Sequence, residues 1–459
     1  MMAIQQQMSK IVYSACDADE RDGDRGRRVV IDANDHHSAG AHPGDLVLQS
    51  LPFAKVLQPE LWSSYCHHCF TTVSAKLSRC GRCRNAYYCS RDCQQKDWKP
   101  DHQVECRQLE QLVSLRLHGP QIANLLLLGR VTRRLQVSGS SGNTTGNQEV
   151  SPTELVWYEA DLSQESMLLA TLAQKLKLVD ESTSTRELQK MLSRFENNNF
   201  SICDDLLLEI GVGCFPLGAM VNHSCDPNCA VTFTAKTQLL EFRAMRAIAS
   251  DEEITQSYVD IALPRRERQR RLEHKYHFQC SCARCTTPLS DPQSLDAHLD
   301  VDIDGIPESQ WSDERAQEFE RAKALLMRPD GSENPIKTLQ MALQAMQSAL
   351  HEENISVLQA HSALFSAEME RGSIDEAIPS GEKMLEFYRR VYPANHPLVG
   401  LHLFTLGDLH LQTSDTQGSS SSSKAQAKRY LTEAKQILQI THGKSHHFVE
   451  LLSQRIQSC

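Results

Sequence analysis

Between residues 66 and 106 the chain offers eight soft or borderline metal donors in four pairs: Cys66-x2-Cys69, Cys80-x2-Cys83, Cys89-x3-Cys93 and His102-x3-Cys106. Eight such ligands suffice for two tetrahedral zinc sites. The first two pairs have the spacing of a short turn that aims two sulfurs at one point. The last two have i,i+4 spacing, which predicts both ligands on one helical face. The segments between them, such as Ser90-Arg91-Asp92 and Gln94-Gln95-Lys96-Asp97, hold little apolar material. Their folding energy must therefore come from metal. Spacing alone leaves open whether the pairs are shared sequentially or interleaved. Further along, Cys280-x-Cys282-x2-Cys285 presents three thiolates where zinc takes four ligands. Upstream of it stands a polar turn with two more cysteines, Asn222-His223-Ser224-Cys225-Asp226-Pro227-Asn228-Cys229.

The elements that must position these residues can be read from periodicity and turn chemistry. Strand-like runs occur at Val29-Val30-Ile31, at Leu46-Val47-Leu48 after the Pro43-Gly44-Asp45 turn, at Ala230-Val231-Thr232-Phe233 and at Leu239 to Ala244. Residues 107 to about 137 carry helical apolar spacing through Leu109, Leu112, Leu115, Ile122, Leu125 to Leu128 and Val131. Ser138 to Pro152 reads as a flexible loop, and Trp157 to Leu178 and Thr185 to Phe195 as further helices. Arg265 to Arg271 reads as a mixed-charge helix with a solvated face. From about residue 312 the chain is predicted helical to its end. Met384, Phe387, Tyr388 and Val391 form one stripe there, and Leu431, Ala434 and Leu438 another. Breaks fall at Gly372, Pro393 to Pro397 and Ser419 to Ser423, so helix pairs recur at roughly tetratricopeptide length.

With 459 residues, a net charge of −10 and 40% hydrophobic residues, the chain reads as two to four soluble, mildly acidic domains. That balance argues against a protein dominated by nucleic-acid affinity. The first residues lack the basic and apolar regions of a secretory signal, and no apolar run approaches membrane-spanning length. The sixteen cysteines are accordingly expected in a reducing compartment, cytoplasm and nucleus, where clusters bind metal.

The 66–106 pattern resembles a MYND zinc finger. Pro43-Gly44-Asp45 with the strands around it, the Asn222-His223-Ser224-Cys225 segment, Asp251-Glu252-Glu253-Ile254 to Tyr258 and the Cys280–Cys285 cluster resemble a SET domain with its post-SET tail. A finger placed between an early SET strand and the SET core is the architecture of the SET and MYND domain-containing protein lysine methyltransferases. The resemblance implies an α+β fold: an N-terminal SET segment (1–65), the finger (66–106), a helical insert (107–196), the core SET domain (197–262), the post-SET tail (263–290) and a tetratricopeptide-like helical domain (291–459). It implies transfer of a methyl group from S-adenosylmethionine to a lysine of a histone or non-histone protein. Tyr258 would be catalytic. Arg25, Gly26, Asn198, Asn222, His223, Tyr258 and Phe278 would meet the cofactor. The family interleaves its zinc ligands, Cys66, Cys69, Cys89 and Cys93 on one ion and Cys80, Cys83, His102 and Cys106 on the other. It completes the Cys280, Cys282 and Cys285 site with Cys225, for which Cys229 is the competitor, making three zinc ions. The family usually places a Gly-x-Gly-like loop before the first strand; Arg25 and Gly26 are the best matches to it, whereas Arg28 stands near the second glycine and 32–42 looks inserted.

Lys76, Arg79, Arg82, Arg84, Arg91, Lys96 and Lys99 with Tyr87, Tyr88 and Trp98 give the finger a basic, aromatic face suited to a proline-rich peptide. A nucleic-acid role rests on that face alone. The competing functional class is a catalytically silent adaptor that recruits proteins through the finger and helical domain. If the finger serves recruitment only, it is expected to be removable without loss of chemistry.

Overall fold

The computed structural model describes residues 9–13, 27–32, 40–73, 76–141, 150–327, 334–416 and 421–459. Arg25, Gly26 and Cys16 lie outside them. The strands are short and pair into small sheets that join distant parts of the chain. Leu240–Ala244 runs antiparallel to both Cys229–Phe233 and Leu46–Ser50, setting Leu48 opposite Phe242. Glu209–Cys214 lies between Ala54–Leu57 and Phe200–Cys203, setting Val56 opposite Val212. Each sheet thus pairs a strand from before the finger with strands from after the insert. The faces they turn inward are apolar, with Val47, Leu48, Leu240 and Phe242 buried. A third pairing is only two residues long: Asn222–His223 runs parallel to Thr255–Gln256. It delivers Tyr258 beside His223.

The finger shares this core. Gln238 Nε2 donates to the Cys69 carbonyl at 2.8 Å, and a Cβ on Gly211 would meet Val56 O at 2.5 Å and the Phe70 ring at 2.6 Å. Glycine at 211 is what lets the finger approach the strand. On the other side, Arg130 of the helix Gly119–Ser141 clasps Glu105 through Nε at 2.9 Å and Nη2 at 2.7 Å, while Arg133 adds a contact at 2.8 Å. Arg134 binds Asp101 at 2.6 Å. Burial by itself would raise the Glu105 pKa, but Arg130 and then Arg133 outweigh it and hold the carboxyl at about 2. The finger is thus packed into the domain through buried polar contacts on both sides.

Three element boundaries differ from the sequence reading. The helix Gly119–Ser141 continues through most of the Ser-Gly run expected to be loop, because an established helix absorbs glycine at a cost of only about 1 kcal/mol. The helix expected from Trp157 begins at Gln164, where the Ser163 side chain caps Ser166 N, and Trp157 stays outside it. Cys89 precedes the helix Arg91–Asp97, whose cap is Ser90, so Cys89 and Cys93 converge without sharing a helical face.

Among the described residues, seven helices from Asp313 to Ser458 make the carboxy-terminal domain, with Gly372 ending one of them in the left-handed conformation at φ 78°. Met384, Phe387, Val391, Leu431, Ala434 and Leu438 are buried as the stripes predict. The last of the expected breaks is shorter, since a helix already begins at Ser421. The domain seats on the strands through Tyr392 OH donating to Asp260 at 2.9 Å and Asn395 Nδ2 donating to Met245 O at 2.7 Å. Among the described residues no helix is long and apolar enough to cross a membrane.

Replacing Glu105 by alanine would take both short carboxylate bonds from buried Arg130, leaving it the Lys55 carbonyl and Asp101 at 3.9 Å. Chemical denaturation at neutral pH should show a loss of about 3–5 kcal/mol. A loss under 1 kcal/mol would show that the clasp does not hold finger and insert together.

Candidate active site and metal centres

The structure groups the cysteines in three sets. Cys66, Cys69, Cys89 and Cys93 converge, as do Cys80, Cys83, His102 and Cys106, and then Cys225, Cys280, Cys282 and Cys285. Within each set all donor atoms lie within 4.8 Å of one another. The separations fit a tetrahedral ion. With a zinc–sulfur bond of about 2.3 Å, the edge of the tetrahedron is about 3.8 Å. Cys69–Cys89 is 3.6 Å, Cys89–Cys93 3.5 Å, Cys80–Cys106 3.8 Å and Cys225–Cys285 3.5 Å, and His102 Nε2 is 3.6 Å from Cys83 Sγ. The finger is interleaved, and Cys225, not Cys229, joins the third set. Cys229 is buried on its own strand, facing away into the core.

The helix Arg265–Tyr276 is not simply a solvated charged rod, as its composition suggested. Arg268 is fully buried. It grips the buried Asp296 through two bonds of 2.8 Å and places Nε 3.2 Å from Cys225 Sγ. Arg284 binds the same carboxylate at 2.8 Å, and Arg265 reaches it at 3.2 Å. Burial works against the Asp296 charge, yet Arg268 and Arg284 prevail and hold its carboxyl below the usual range. On the outer face of this helix Glu267 pairs with Arg270 and Arg271.

Beside the third cysteine set lies a cavity of about 380 Å³, a size suited to a cofactor. Asn198, Asn222, His223, Tyr258 and Phe278, singled out in the sequence, all line it. Asn222 Nδ2 donates to Arg27 O at 2.8 Å and to Glu253 Oε1 at 2.7 Å. Both amide protons are spent on tying the strand Arg27–Ile31 to the Asp251–Ile254 turn. Asn198 repeats the pattern, donating to Val156 O at 2.9 Å and Arg194 O at 2.8 Å. What each amide can offer a ligand is its oxygen. His223 is buried, with Nδ1 accepting from Tyr258 N–H at 2.9 Å. The Tyr258 hydroxyl donates to Val221 O at 2.8 Å.

A second cavity, about 270 Å³, shares Asn197, Asn198, Ala219, Tyr258 and Tyr276 with the first and adds Asn199, Phe200 and Lys275. The Tyr258 and Tyr276 rings stand 4.8 Å apart at the common wall. Among the described residues, buried Asn197 Oδ1 and Asn199 Oδ1 have no hydrogen-bond partner.

Several lining residues escaped the sequence reading. Arg27 supplies the positive charge of the first cavity, and the insert contributes Tyr158, whose ring stacks 4.1 Å from His277. Asp161 holds that imidazole at 3.0 Å. Tyr276-x-Phe278 ahead of Cys280 was the one available signal, since it sets two aromatics beside a metal ligand. Asp161 and Asp296 carried none, because their partners lie far off in sequence.

The cysteine geometry separates two neighbours. Cys225→Ser should lose one equivalent of bound zinc by elemental analysis, while Cys229→Ser should keep the wild-type content. The reverse pattern would refute the assignment of the fourth ligand.

Comparison with known proteins bears on the same elements. The MYND finger family model matches residues 66–106, and the SET domain model matches residues 128–259. Histone-lysine N-methyltransferase SMYD3 of Mus musculus is 30% identical over 439 residues, covering 92% of this chain and 94% of that protein. Histone-lysine N-methyltransferase ASHR1 of Arabidopsis thaliana is 29% identical, covering 90% of each chain. N-lysine methyltransferase SMYD2 of Homo sapiens is 26% identical, covering 90% of this chain and 93% of its own. Both halves of the split SET fold, the interleaved finger and this end-to-end similarity agree, and the chain belongs to the SET and MYND domain-containing family of protein lysine methyltransferases.

Proposed function

We propose that the protein moves the methyl group of S-adenosylmethionine onto the ε-amine of a lysine in a histone or other protein, with Tyr258 at the point of transfer. The observation that carries this reading is the meeting of two cavities at Tyr258. In-line displacement needs the nucleophile and the leaving sulfur on opposite sides of one carbon, so donor and acceptor must arrive by different routes. The cofactor, bound in the larger cavity, supplies an electrophilic methyl on a sulfonium.

The chain's own residues do the rest by positioning. Arg27 offers a cation for the cofactor carboxylate, Asn222 and Asn198 offer amide oxygens, and Phe278 gives an apolar face for the adenine ring. Arg25 and Gly26, which the family resemblance assigns to the cofactor, lie outside the described residues. The second cavity admits the lysine. Lys275 lines it, and among the described residues no carboxylate does. A cation on that wall disfavours a protonated amine and so favours the neutral nucleophile. Tyr258 and Tyr276 wall off water and narrow the approach.

Three zinc ions, one for each cysteine set, complete the reading. Such thiolate sites suit the reducing cytoplasm and nucleus. The finger's exposed basic face remains available to proline-rich partners, and the helical domain to protein contact.

Tyr258→Phe isolates one oxygen. Its ring still fits against Tyr276 and Phe278, so thermal melting and cofactor titration should stay near wild type. Single-turnover methylation of an accepted peptide should slow by about a hundredfold or more, as when a preorganised polar group acting in the transition state is removed. An unchanged rate would take Tyr258 out of the mechanism.

A further inference from the structure

Cys225 Sγ has two nitrogen donors within hydrogen-bond reach. Arg268 Nε and His223 Nε2 each stand 3.2 Å from it. The histidine's tautomer follows from its second contact. Tyr258 N–H can only donate, and it donates to His223 Nδ1 at 2.9 Å. Neutral His223 therefore carries its proton on Nε2, aimed at a sulfur that accepts it as a thiolate. One line of contacts thus runs from Asp296 through Arg268, Cys225 and His223 to the backbone of Tyr258.

Charge completes the argument. A zinc ion among Cys225, Cys280, Cys282 and Cys285 leaves two net negative charges in a buried place. Three guanidiniums, Arg265, Arg268 and Arg284, against the single Asp296 carboxylate supply two net positive ones. The assembly is neutral, which a buried thiolate centre requires. Asp296 is the carboxylate that all three guanidiniums share. Its bidentate grip on Arg268, helped by the Leu263 carbonyl at 2.6 Å, leaves Nε directed at Cys225 Sγ and Nη2 3.7 Å from Cys285 Sγ.

We propose that Arg268, oriented by Asp296, is a positioning residue for methyl transfer: by fixing the Cys225 thiolate it sets, through His223, where Tyr258 stands. Arg268 touches neither cavity, so it acts only through others. The effect on chemistry rests on the methyltransferase reading above; the effect on metal retention does not.

The test uses the full-length, zinc-loaded protein and Arg268→Lys, which keeps the charge and loses the fork, beside Arg268→Met, which loses both. Chelator-driven zinc release, followed with a colorimetric indicator, should show one equivalent leaving at least tenfold faster in Arg268→Met and near the wild-type rate in Arg268→Lys. Arg268→Lys should then lower kcat about tenfold with little change in the KM for S-adenosylmethionine. A double-mutant cycle with His223→Asn should give a combined loss well short of the product of the single losses, because both groups act on the same sulfur. If Arg268→Met fails to fold, Arg268→Lys and the cycle still decide. Wild-type kcat in Arg268→Lys, or losses that simply multiply, would overturn the positioning role. If the wild-type protein neither binds S-adenosylmethionine nor methylates any peptide, the functional reading fails instead, while altered zinc release would still uphold the contact of Arg268 with the thiolate.

Discussion

The convergence of Cys225 with Cys280, Cys282 and Cys285 is the constraint on which the site depends. Those residues belong to two stretches more than fifty positions apart in sequence, one a turn beside the central strands and the other a short tail. Neither stretch holds enough apolar surface to settle by packing. Only a shared ion, or something equally demanding, makes their sulfurs approach to 3.5 Å. Once they do, the tail carrying Tyr276 and Phe278 closes over the loop carrying Asn222 and His223, and a cavity exists where there was an open edge.

The two zinc-finger sets obey the same rule at another place, but their consequence is architectural. Metal ligation makes a rigid body out of a polar segment, and that body then presents Phe70, Asp101 and Glu105 to the core. The buried clasp of Arg130 and Arg133 on Glu105 is costly to desolvate and is tolerated because every charge in it is met. A polar joint of this kind specifies one orientation more narrowly than apolar contact does. The finger is therefore part of the catalytic domain's framework while its basic outer face stays free for partners.

The site itself is built by economy of hydrogen bonding. The amide protons of Asn198 and Asn222 are consumed by backbone carbonyls and the Glu253 carboxylate, which leaves their oxygens for the cavity. His223 spends both ring nitrogens on the structure, one on Tyr258 and one on Cys225. Side chains that read as cofactor ligands are thus, in their greater part, devices for holding backbone and Tyr258 in place, which is what a displacement reaction without a covalent enzyme intermediate asks for.

Much of this was legible in the chain itself, for a local reason. Zinc ligands must sit at short spacings, so Cys66 to Cys106 and Cys280 to Cys285 announced their chemistry. The helical stripes through Leu431, Ala434 and Leu438 announced their buried face because a helix repeats every 3.6 residues. Family likeness supplied the interleaving and the choice of Cys225, which spacing could not. Tertiary structure alone decided what depends on groups distant in sequence. Asp296 has no motif, and its importance lies in three arginines that fold around it. Arg268 looked like one more surface charge until burial and the Cys225 sulfur distinguished it from Arg270 and Arg271 on the same helix. Electrostatic pairs and cavities arise from where segments meet, and no window along the sequence contains the meeting.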